Sequence, residues 1–123
     1  MCLFCDLASA TEKHLYEDDL VYAIYDHFPV SSGHALIIPK RHIETIFEAT
    51  PAEHAAIGMA LSAIKNIVDS TYHPDAYNVG INNGVCAGQT VMHLHVHLIP
   101  RYLGDSDRPR GGVRGIIPGK QTY

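Results

Sequence analysis

The sequence predicts an α+β domain in which a mostly antiparallel sheet carries one long helix on one of its faces. Short β-rich segments lie on both sides of a single long segment with helical periodicity, and the last of them alternates aliphatic residues with histidines. With 123 residues, the chain has the length of one domain and can bury roughly two-thirds of its unfolded surface. A hydrophobic core can therefore hold the fold without disulfides.

The first two predicted strands form a hairpin near the N-terminus. The segments "HLYEDD" (14–19) and "LVYAIYD" (20–26) are rich in residues that favour strands. Asp18 and Asp19 separate the apolar positions of the two segments, and aspartate is common in tight turns because its side chain bonds to nearby backbone amides. The two segments are therefore expected to pair as neighbouring strands.

A loop, a third strand and a short helix follow the hairpin. The Pro, Ser and Gly residues of "DHFPVSSGH" (26–34) indicate a loop. The segment "HALIIPK" (34–40) is a short apolar run that ends near a proline, which is typical of a strand. The segment "IETIFEA" (43–49) predicts a short helix.

One long helix is predicted from its start signal and its periodicity. Thr50 and Glu53 have the spacing of a capping box, and Pro51 occupies the first helical position, where its missing N–H is not needed. Within the helix, apolar residues recur at helical spacing and give one apolar face: Ile57, Ala60, Leu61, Ile64, Ile67 and Val68. The helix is expected to end before Pro74.

Two further strands, over 76–82 and 91–100, are separated by the glycine-containing segment "NNGVCAGQT". In the last strand the side-chain period of two places His93, His95 and His97 on one face. The aliphatic residues between them occupy the opposite face, which we expect to be the core.

Composition and charge restrict the class of protein. The net charge of −4 argues against a nucleic-acid binder, which would need a basic face. The N-terminus has no basic leader, and no apolar run approaches the ~20 residues of a membrane span, so we expect a cytoplasmic protein that binds no membrane. Three cysteines without a signal peptide indicate a reduced compartment rather than a disulfide framework.

The C-terminal segment 106–123 is basic and rich in glycine and proline. We expect a domain over 1–105 followed by this tail. Composition alone is compatible with a solvated tail. It is also compatible with a tail that reaches an anionic ligand.

Three interpretations of the histidine row remain after these observations: surface histidines, a zinc hydrolase with three histidine ligands, or phosphate chemistry. Alternate strand residues lie about 6.6 Å apart, so the outer pair of the row would lie about 13 Å apart. Zinc requires all its nitrogen ligands at about 2.0 to 2.1 Å, which disfavours a single ion. An imidazole can instead attack phosphorus, and the glycines before the strand allow backbone amides to approach an anion.

The segments "YEDD", "DHFPVSSGHALIIPKRH" and "INNGVCAGQTVMHLHVHLIP" occur in that order, and "HLHVHLI" has the pattern His-x-His-x-His with apolar residues between. With them the chain resembles the histidine triad family of nucleotidyl hydrolases and transferases over residues 1–101. The resemblance implies the histidine triad fold, a twisted sheet of about five strands with one long and one short helix.

The resemblance also implies roles for individual residues. His95 would be the nucleophile, His97 would contact the phosphoryl group, and His34 would support the triad. The ribose would bind Asp26, whose carboxylate oxygens accept hydrogen bonds. The phosphate group would contact Asn82, Thr90 and the backbone around Gly88 and Gln89. The base would contact Leu3, Phe4, Leu7, Ile24, His27 and Leu36, although His27 replaces a more usual aliphatic residue and core packing explains the aliphatic positions equally well.

A zinc site is implied by the same resemblance. On its own, the Cys-x-x-Cys pair Cys2 and Cys5 could be a metal site or two buried or frayed thiols. Bacterial-type members of the family bind zinc through such a pair together with the residues that match His42 and His93. Cys₂His₂ sets are typical of structural zinc, and no catalytic cofactor is expected.

The implied activity is hydrolysis of a nucleoside 5′-phosphoryl compound through a nucleotidyl-histidine intermediate. Dinucleoside polyphosphates and nucleoside phosphoramidates both remain possible, with a purine nucleotide or dinucleotide as the expected partner. A homodimer is expected, with Arg110 or Arg114 of the tail near the leaving group. Two alternatives are a nucleotide-binding scaffold with incidental turnover and a zinc-dependent hydrolase.

Overall fold

Five strands form a single antiparallel sheet in the computed structural model, which describes residues 2–10 and 13–123. The sheet has the order β1-β2-β3-β5-β4, and one long helix packs on it, so the α+β prediction is confirmed. The elements are α1 (Leu3–Ala8), β1 (Tyr16–Glu17), β2 (Val21–Tyr25), β3 (Ala35–Pro39), α2 (Pro51–Tyr72), β4 (Ala76–Gly80) and β5 (Val96–Arg101).

The N-terminal hairpin forms as predicted. Tyr16 pairs with Ala23 across β1 and β2. One carboxylate oxygen of Asp18 accepts hydrogen bonds from the backbone amides of Leu20 and Val21, both at 2.8 Å. The turn is therefore stabilised by the aspartate side chain, as expected of an Asx turn.

The last strand is shorter than predicted. β5 begins at Val96 rather than at residue 91, so His93 and His95 precede it and only His97 lies within it. The Pro39 carbonyl, at the end of β3, accepts a hydrogen bond from the His93 ring at 2.7 Å. The His93 side chain thus occupies the Pro39 carbonyl, which a longer β3–β5 ladder would need as a backbone acceptor. The pairing of β3 with β5 extends no further than Val96.

The long helix α2 matches its prediction at both ends. The Thr50 hydroxyl accepts from the Glu53 amide at 3.1 Å, while the Glu53 carboxylate accepts from the Thr50 amide at 2.9 Å. His73 caps the C-terminus with a left-handed backbone, one residue before Pro74. The helix buries Ala56, Ile57, Ala60, Ile64 and Val68.

The sheet has an apolar cluster on each face. On the α2 face, Leu94, Val96 and Leu98 are buried, which confirms the predicted core side of the histidine segment. On the opposite face, a smaller cluster contains Phe4 of α1 with side chains of β2 and β3. The histidines share this second face, so α1 and the histidines together cover it.

The short helical segments near the N-terminus and before α2 differ from expectation. The segment predicted as a short helix over 43–49 is a single 3₁₀ turn at Ile46–Glu48. The N-terminal helix α1 was not predicted, because six residues are too few to display a periodic pattern.

The C-terminal segment bonds mainly to itself. The Gln121 side-chain amide donates to the carbonyls of Arg108 and Arg110, and Gly112–Ile116 forms a 3₁₀ helix. Arg110 and Arg114 both lie against the Tyr123 ring, at 5.0 and 4.6 Å from its centre. Among the described residues, no helix is long and apolar enough to cross a bilayer.

Candidate active site

A cavity of about 410 Å³ opens on the histidine face of the sheet. Its wall contains nearly all the residues that the sequence singled out for substrate contact, drawn from α1, β2, β3, β5 and the loops beside these strands. They are Leu3, Phe4, Leu7, Ile24, Asp26, His27, His34, Leu36, Asn82, Gly88, Thr90, His95 and His97. The fold thus gathers into one cavity residues that are spread over 95 positions of the chain.

His95 is held by the backbone next to it. Its Nδ1 lies 2.8 Å from the carbonyl oxygen of His93. Because a carbonyl only accepts, Nδ1 carries a proton and donates it to this bond. In the neutral ring, Nε2 then holds the free electron pair, and it is the nitrogen available to a molecule in the cavity.

His34 and His97 form a hydrogen-bonded pair behind His95. The Val30 amide donates to His34 Nδ1 at 3.2 Å, which places the His34 proton on Nε2. His34 Nε2 lies 2.9 Å from His97 Nδ1 and donates to it. The neutral His97 ring therefore carries its own proton on Nε2, where it can serve as a donor to a ligand.

Burial keeps this pair uncharged. Burial, and then the neighbouring His95 and His34 rings, lower the pKa of His97 to about 4. Burial likewise lowers the pKa of His34, although the carboxylate of Asp26 opposes that effect. The cavity wall thus presents neutral rings with fixed donor and acceptor nitrogens at neutral pH.

Asp26 lies between the histidine pair and the loop that follows β2. One carboxylate oxygen accepts from the Phe28 amide at 2.8 Å, and the other lies 3.5 Å from His34 Nε2. Each oxygen has a further lone pair. The carboxylate can therefore accept additional hydrogen bonds from hydroxyl groups of a ligand.

Of the predicted phosphate contacts in the loop between β4 and β5, some line the cavity and one does not. Asn82, Gly88 and Thr90 line the cavity, but Gln89 does not. The Gln89 side chain is buried, accepts from the Gly84 amide at 2.7 Å and donates to the Glu44 carbonyl at 2.7 Å. The backbone amides of Gly88 and Gln89 both donate within the loop. The Gln89 side chain therefore stabilises the conformation of the loop and does not face the cavity.

The apolar wall of the cavity begins at α1. The Phe4 ring packs edge-on against the His95 ring, with their centres 5.0 Å apart. The carbonyl of Phe4 accepts from the Tyr22 hydroxyl, and the carbonyl of Leu7 lies 3.0 Å from His14 Nε2, which donates to it. The first bond attaches α1 to β2 and the second attaches it to the segment before β1, so its apolar residues lie beside His95.

The four predicted metal ligands come together on the other side of α1. One ligand atom from each of Cys2, Cys5, His42 and His93 lies within 4.8 Å of the other three. The Sγ atoms of Cys2 and Cys5 lie 3.2 and 3.5 Å from His93 Nδ1. Ligands 2.0 to 2.3 Å from a shared tetrahedral ion are separated by roughly 3.3 to 3.8 Å. The set therefore fits zinc in size and in donor type.

The ring of His93 is prepared for this role. Its Nε2 donates to the Pro39 carbonyl, which leaves Nδ1 without a proton and directed at the thiols. Burial lowers the pKa of His93, which favours the neutral ring that a metal ligand requires. His93 thus belongs to the metal set and not to the cavity wall.

A second group of possible ligands, Asp26, His34 and His97, is better described as a hydrogen-bonded chain. An ion on His34 Nε2 would displace the proton to Nδ1, where the Val30 amide already donates. Two donors would then face each other. The proton between His34 and His97 is the arrangement that satisfies every partner.

The sequence missed three residues of the cavity wall: Phe28, Val30 and Val91. Phe28 and Val30 lie in a segment that was predicted only as a loop. Exposed apolar residues in a loop give no periodic signal. Only the folded position of the loop, beside His34, brings them to the cavity.

Residues 8–104 match the family described as HIT domain. The curated protein Adenylylsulfatase HINT3 of Arabidopsis thaliana is 40% identical over 102 residues, which are 81% of this chain and 52% of that protein. The asymmetrical bis(5′-nucleosyl)-tetraphosphatase of Schizosaccharomyces pombe is 36% identical over 90 residues, which are 73% of this chain and 50% of that protein. The chain thus spans about half the length of these two relatives.

A solved structure has the same fold. The crystal structure of a Zn-bound histidine triad family protein from Mycobacterium smegmatis superposes with a TM-score of 0.76 and 35% sequence identity. The match covers 87% of this chain and 81% of that one. The sheet and the long helix described above therefore recur in a protein whose structure contains zinc.

Proposed function

This chain belongs to the histidine triad (HIT) family, and on that premise we propose that it hydrolyses nucleoside 5′-phosphoryl compounds and releases a nucleoside monophosphate. The observation that carries the proposal is the state of His95. Its Nδ1 proton is fixed on the His93 carbonyl, so Nε2 offers a free electron pair to a cavity with an apolar wall on one side.

In the first step, His95 Nε2 attacks the α-phosphorus. A bond forms between nitrogen and phosphorus, and the bond to the leaving group breaks with its electron pair on the leaving group. The His95 ring becomes positively charged, and its Nδ1–H donates more strongly to the His93 carbonyl as that charge develops. A polyphosphate leaving group departs as its anion, whereas the nitrogen of a phosphoramidate takes a proton from solvent and departs as the neutral amine.

His97 stabilises the transition state of this step. Its Nε2–H is a donor because His34 occupies its Nδ1. A fixed donor in a partly buried site stabilises charge that develops on a phosphoryl or leaving-group oxygen. His34 is a positioning residue, since it acts through His97.

In the second step, water attacks phosphorus and the bond to His95 breaks; one proton of the water stays on the new P–OH group and the other passes to solvent. The nucleoside monophosphate leaves, and Nε2 regains its free electron pair. Asn82 and Thr90 are proposed to hold the phosphate, and Asp26 the ribose hydroxyls. The base, a purine in this proposal, contacts Leu3, Phe4, Leu7, Ile24, His27 and Leu36. Gly88 contributes the close approach of the loop, whereas Gln89 acts through loop shape.

Zinc has a structural role in this proposal. Bound to Cys2, Cys5, His42 and His93, it would join α1 to the segment after β3, which contains His42, and to the segment before β5, which contains His93. All four ligands are supplied by the protein, which is typical of structural zinc and leaves no open position for water. This donor set favours the histidine mechanism over the zinc-dependent hydrolase.

A homodimer is also proposed. β4 is an edge of the sheet and Val79 in it is half-exposed. An open edge strand offers unpaired backbone groups to a second chain. Pairing of two β4 strands would continue the sheet across both copies.

Intact-protein mass spectrometry tests the chemistry. We expect a covalent AMP adduct, located on His95 by fragmentation, after brief mixing with adenosine 5′-phosphoramidate or diadenosine tetraphosphate. His95→Ala should give no adduct and at least a thousandfold lower turnover. His54→Ala, at an exposed position of α2, is the matched control and should behave as wild type. Absence of turnover and of adduct with both substrates would favour the scaffold alternative.

A further inference from the structure

His14 links the end of α1 to the first strand by two hydrogen bonds. Its Nε2 lies 3.0 Å from the carbonyl oxygen of Leu7, and its Nδ1 lies 3.0 Å from a carboxylate oxygen of Glu17 in β1. The ring also stacks on the ring of Tyr22 in β2, with the two centres 4.7 Å apart. The His14 side chain is 7% exposed. The ring is thus enclosed between α1 and two strands, outside the wall of the substrate cavity.

Both hydrogen-bond partners of the His14 ring are acceptors. A carbonyl oxygen has no proton to donate, and an ionised carboxylate has none either. The Glu17 carboxylate is ionised, because Lys40 donates to its other oxygen at 2.7 Å and the bonds from Lys40 and then from His14 lower the pKa of Glu17. The ring can therefore satisfy both partners only when both of its nitrogens carry a proton, as an imidazolium.

A neutral His14 ring could keep only one of the two bonds. Its remaining proton should stay on Nδ1, because a hydrogen bond to a charged acceptor is about twice as strong as one to a neutral acceptor. The free electron pair of Nε2 would then face the Leu7 carbonyl, which keeps its bond from the Ala10 amide. Two acceptors in contact repel each other. Loss of one proton therefore breaks the link on the α1 side.

The α1 end of this link carries part of the wall that is proposed to contact the base. Leu7 lines the cavity together with Phe4 of the same helix. The Phe4 carbonyl accepts from the Tyr22 hydroxyl, so Tyr22 holds the first half of α1 and His14 holds its end. His95 is held separately, by its own bond to a backbone carbonyl. A change at His14 should therefore move the base contacts and leave the reacting nitrogen in place.

We propose that His14 is a positioning residue for the base wall: as an imidazolium bonded to Glu17, it holds the Leu7 end of α1 against the bound base. This inference rests on the proposed function, in which α1 contacts the base. Binding of the nucleotide weakens when the ring loses a proton. The titratable groups around the ring and its carboxylate partner are Tyr22, Lys40 and, at a neighbouring cavity that His14 also lines, Lys13, Asp26 and His27.

Glu17→Gln tests the charge of the link, because a glutamine amide can donate to Nδ1. A neutral ring then keeps its proton on Nε2 and still donates to Leu7, so the link should no longer depend on pH. Lys40→Gln is the matched control, since it removes the other partner of Glu17 and leaves the carboxylate bonded to His14. The side chains of Lys40 and Glu17 are 31% and 47% exposed, so we expect both variants to fold.

Nitrogen NMR of the zinc-loaded protein reports the state of the ring in a titration from about pH 6 to 9, which spans the range in which imidazoles change charge. In wild type and Lys40→Gln, we expect two protonated nitrogens on His14 at the acid end and a proton on Nδ1 alone at the alkaline end. In Glu17→Gln, the last proton should lie on Nε2.

Binding and kinetics report the consequence for the base wall. Over the same titration, calorimetry should show the affinity for AMP falling about fivefold in wild type and Lys40→Gln relative to Glu17→Gln, which is the effect of about one hydrogen bond. His14→Ala should raise KM for diadenosine tetraphosphate about fivefold and change kcat less than about twofold. A residue that only stabilised the fold would give no such division between KM and kcat.

Several outcomes would overturn the inference. A last proton on Nε2 in wild type, or equal pH dependence of AMP affinity in wild type and Glu17→Gln, removes the imidazolium link. A fall in kcat of His14→Ala as large as the rise in KM contradicts a role confined to the base wall. Failure of the proposed function is distinct, because wild type would then neither bind AMP nor turn over substrate. If His14→Ala does not fold, Glu17→Gln decides alone.

Discussion

At the scale of single residues, backbone atoms decide what each histidine can do. The His93 carbonyl fixes the proton of His95, the Pro39 carbonyl fixes that of His93, and the Val30 amide fixes that of His34. The same residue type thereby becomes a nucleophile candidate, a metal ligand candidate and a donor to another ring. The order of these roles along the chain follows from which nitrogen each backbone atom occupies.

The neutral state of His97 predicts a specific pH dependence of stability. Its pKa is about 4 in the folded protein and roughly 6.5 in an unfolded chain. Between these values the unfolded chain binds a proton that the folded protein does not, so the stability present above pH 6.5 declines as the pH falls toward 4. Urea unfolding at intervals from pH 7.5 to 4.5 should show a shallower decline for His97→Gln than for wild type.

The control for this prediction is His54→Gln, because that histidine is exposed on α2. Its stability should follow the same slope as wild type. Equal slopes for wild type and His97→Gln would contradict the depressed pKa. His34 shifts in the same direction, so a residual decline is expected in the His97 variant.

Which residues line the cavity was easier to predict from the sequence than which atoms each of them contacts. Thirteen residues predicted for substrate contact line one cavity, because a family pattern records which residues occur together. Gln89 shows the limit. A glutamine in a glycine-rich loop can face a ligand or brace the loop, and only its bonds to Gly84 and Glu44 distinguish these. The orientation of a side chain depends on partners that are distant in sequence.

At the scale of elements, α1 connects two parts of the molecule. The predicted metal ligands Cys2, which caps its N-terminus, and Cys5 lie on one side, and the apolar cavity residues Leu3, Phe4 and Leu7 lie on the other. Besides the metal set, the bonds from Tyr22 and His14 attach it to β2 and to the segment before β1. A six-residue helix is marginal on its own. Its order should therefore depend on these attachments.

Removal of zinc should loosen α1 and the base wall together. We expect one zinc per chain by elemental analysis of protein purified without chelator. Chelation, or His42→Ala, should lower the thermal midpoint by several degrees and weaken AMP binding measured by calorimetry. Hydrogen exchange should rise first in residues 3–8.

His73→Ala is the control for that experiment, since His73 caps the C-terminus of α2 and lies outside the metal set. Equal hydrogen exchange in residues 3–8 with and without chelator would contradict the proposed role of zinc. Loss of AMP binding without faster exchange would also contradict it.

A second connection between elements is the ion pair of Arg41 and Glu53. Arg41 follows β3, and its guanidinium bonds to both oxygens of Glu53, which is 2% exposed in the first turn of α2. The bonds from Arg41 lower the pKa of Glu53 to about 2. Stability from this pair is present above pH 4.5 and is lost as the pH falls toward 2.

Arg41→Ala should lower the free energy of unfolding by roughly 1 to 3 kcal/mol at pH 7, because it leaves a buried carboxylate with one charged partner fewer. Urea denaturation measures the change. Lys65→Ala is the control, since its bond to Asp69 joins two exposed side chains of α2 and is worth at most about 0.5 kcal/mol. Equal losses in both variants would contradict the importance of burial.

Element prediction succeeded where local chemistry alone specifies the structure. The capping box of α2 and the Asp18 turn use partners within three residues, so both were evident in sequence. The start of β5 was not, because it depends on the bond between His93 and Pro39, which are 54 positions apart. The 3₁₀ turn at Ile46–Glu48 likewise has its first amide bonded to Asn83.

At the scale of the whole molecule, charge is unevenly distributed. Net charge is −4, yet residues 106–123 contain Arg108, Arg110, Arg114 and Lys120 and only one acidic residue. The tail folds mainly on itself, so it presents these cations on one compact segment. Such a segment can attract a polyanionic substrate from a distance that salt screening limits.

Deletion of residues 106–123 should raise KM for diadenosine tetraphosphate several-fold and leave the thermal midpoint nearly unchanged. The increase should shrink in 0.5 M salt. Light scattering should show a dimer of full-length chains. Replacing Lys13 and Lys65, two lysines of the acidic part of the chain, is the control. Unchanged kinetics after the deletion would remove the tail from the function.

In the loop after β2, the residues that hold the backbone differ from the residues whose side chains are free to vary. Asp26, Gly33 and His34 fix its backbone, whereas Phe28 and Val30 project away from both apolar clusters. We expect substitutions at these two exposed positions to cost little stability, so this part of the cavity wall can vary while the residues that fix the backbone stay the same. A combinatorial library limited to positions 28 and 30 would explore new selectivities with few unfolded members.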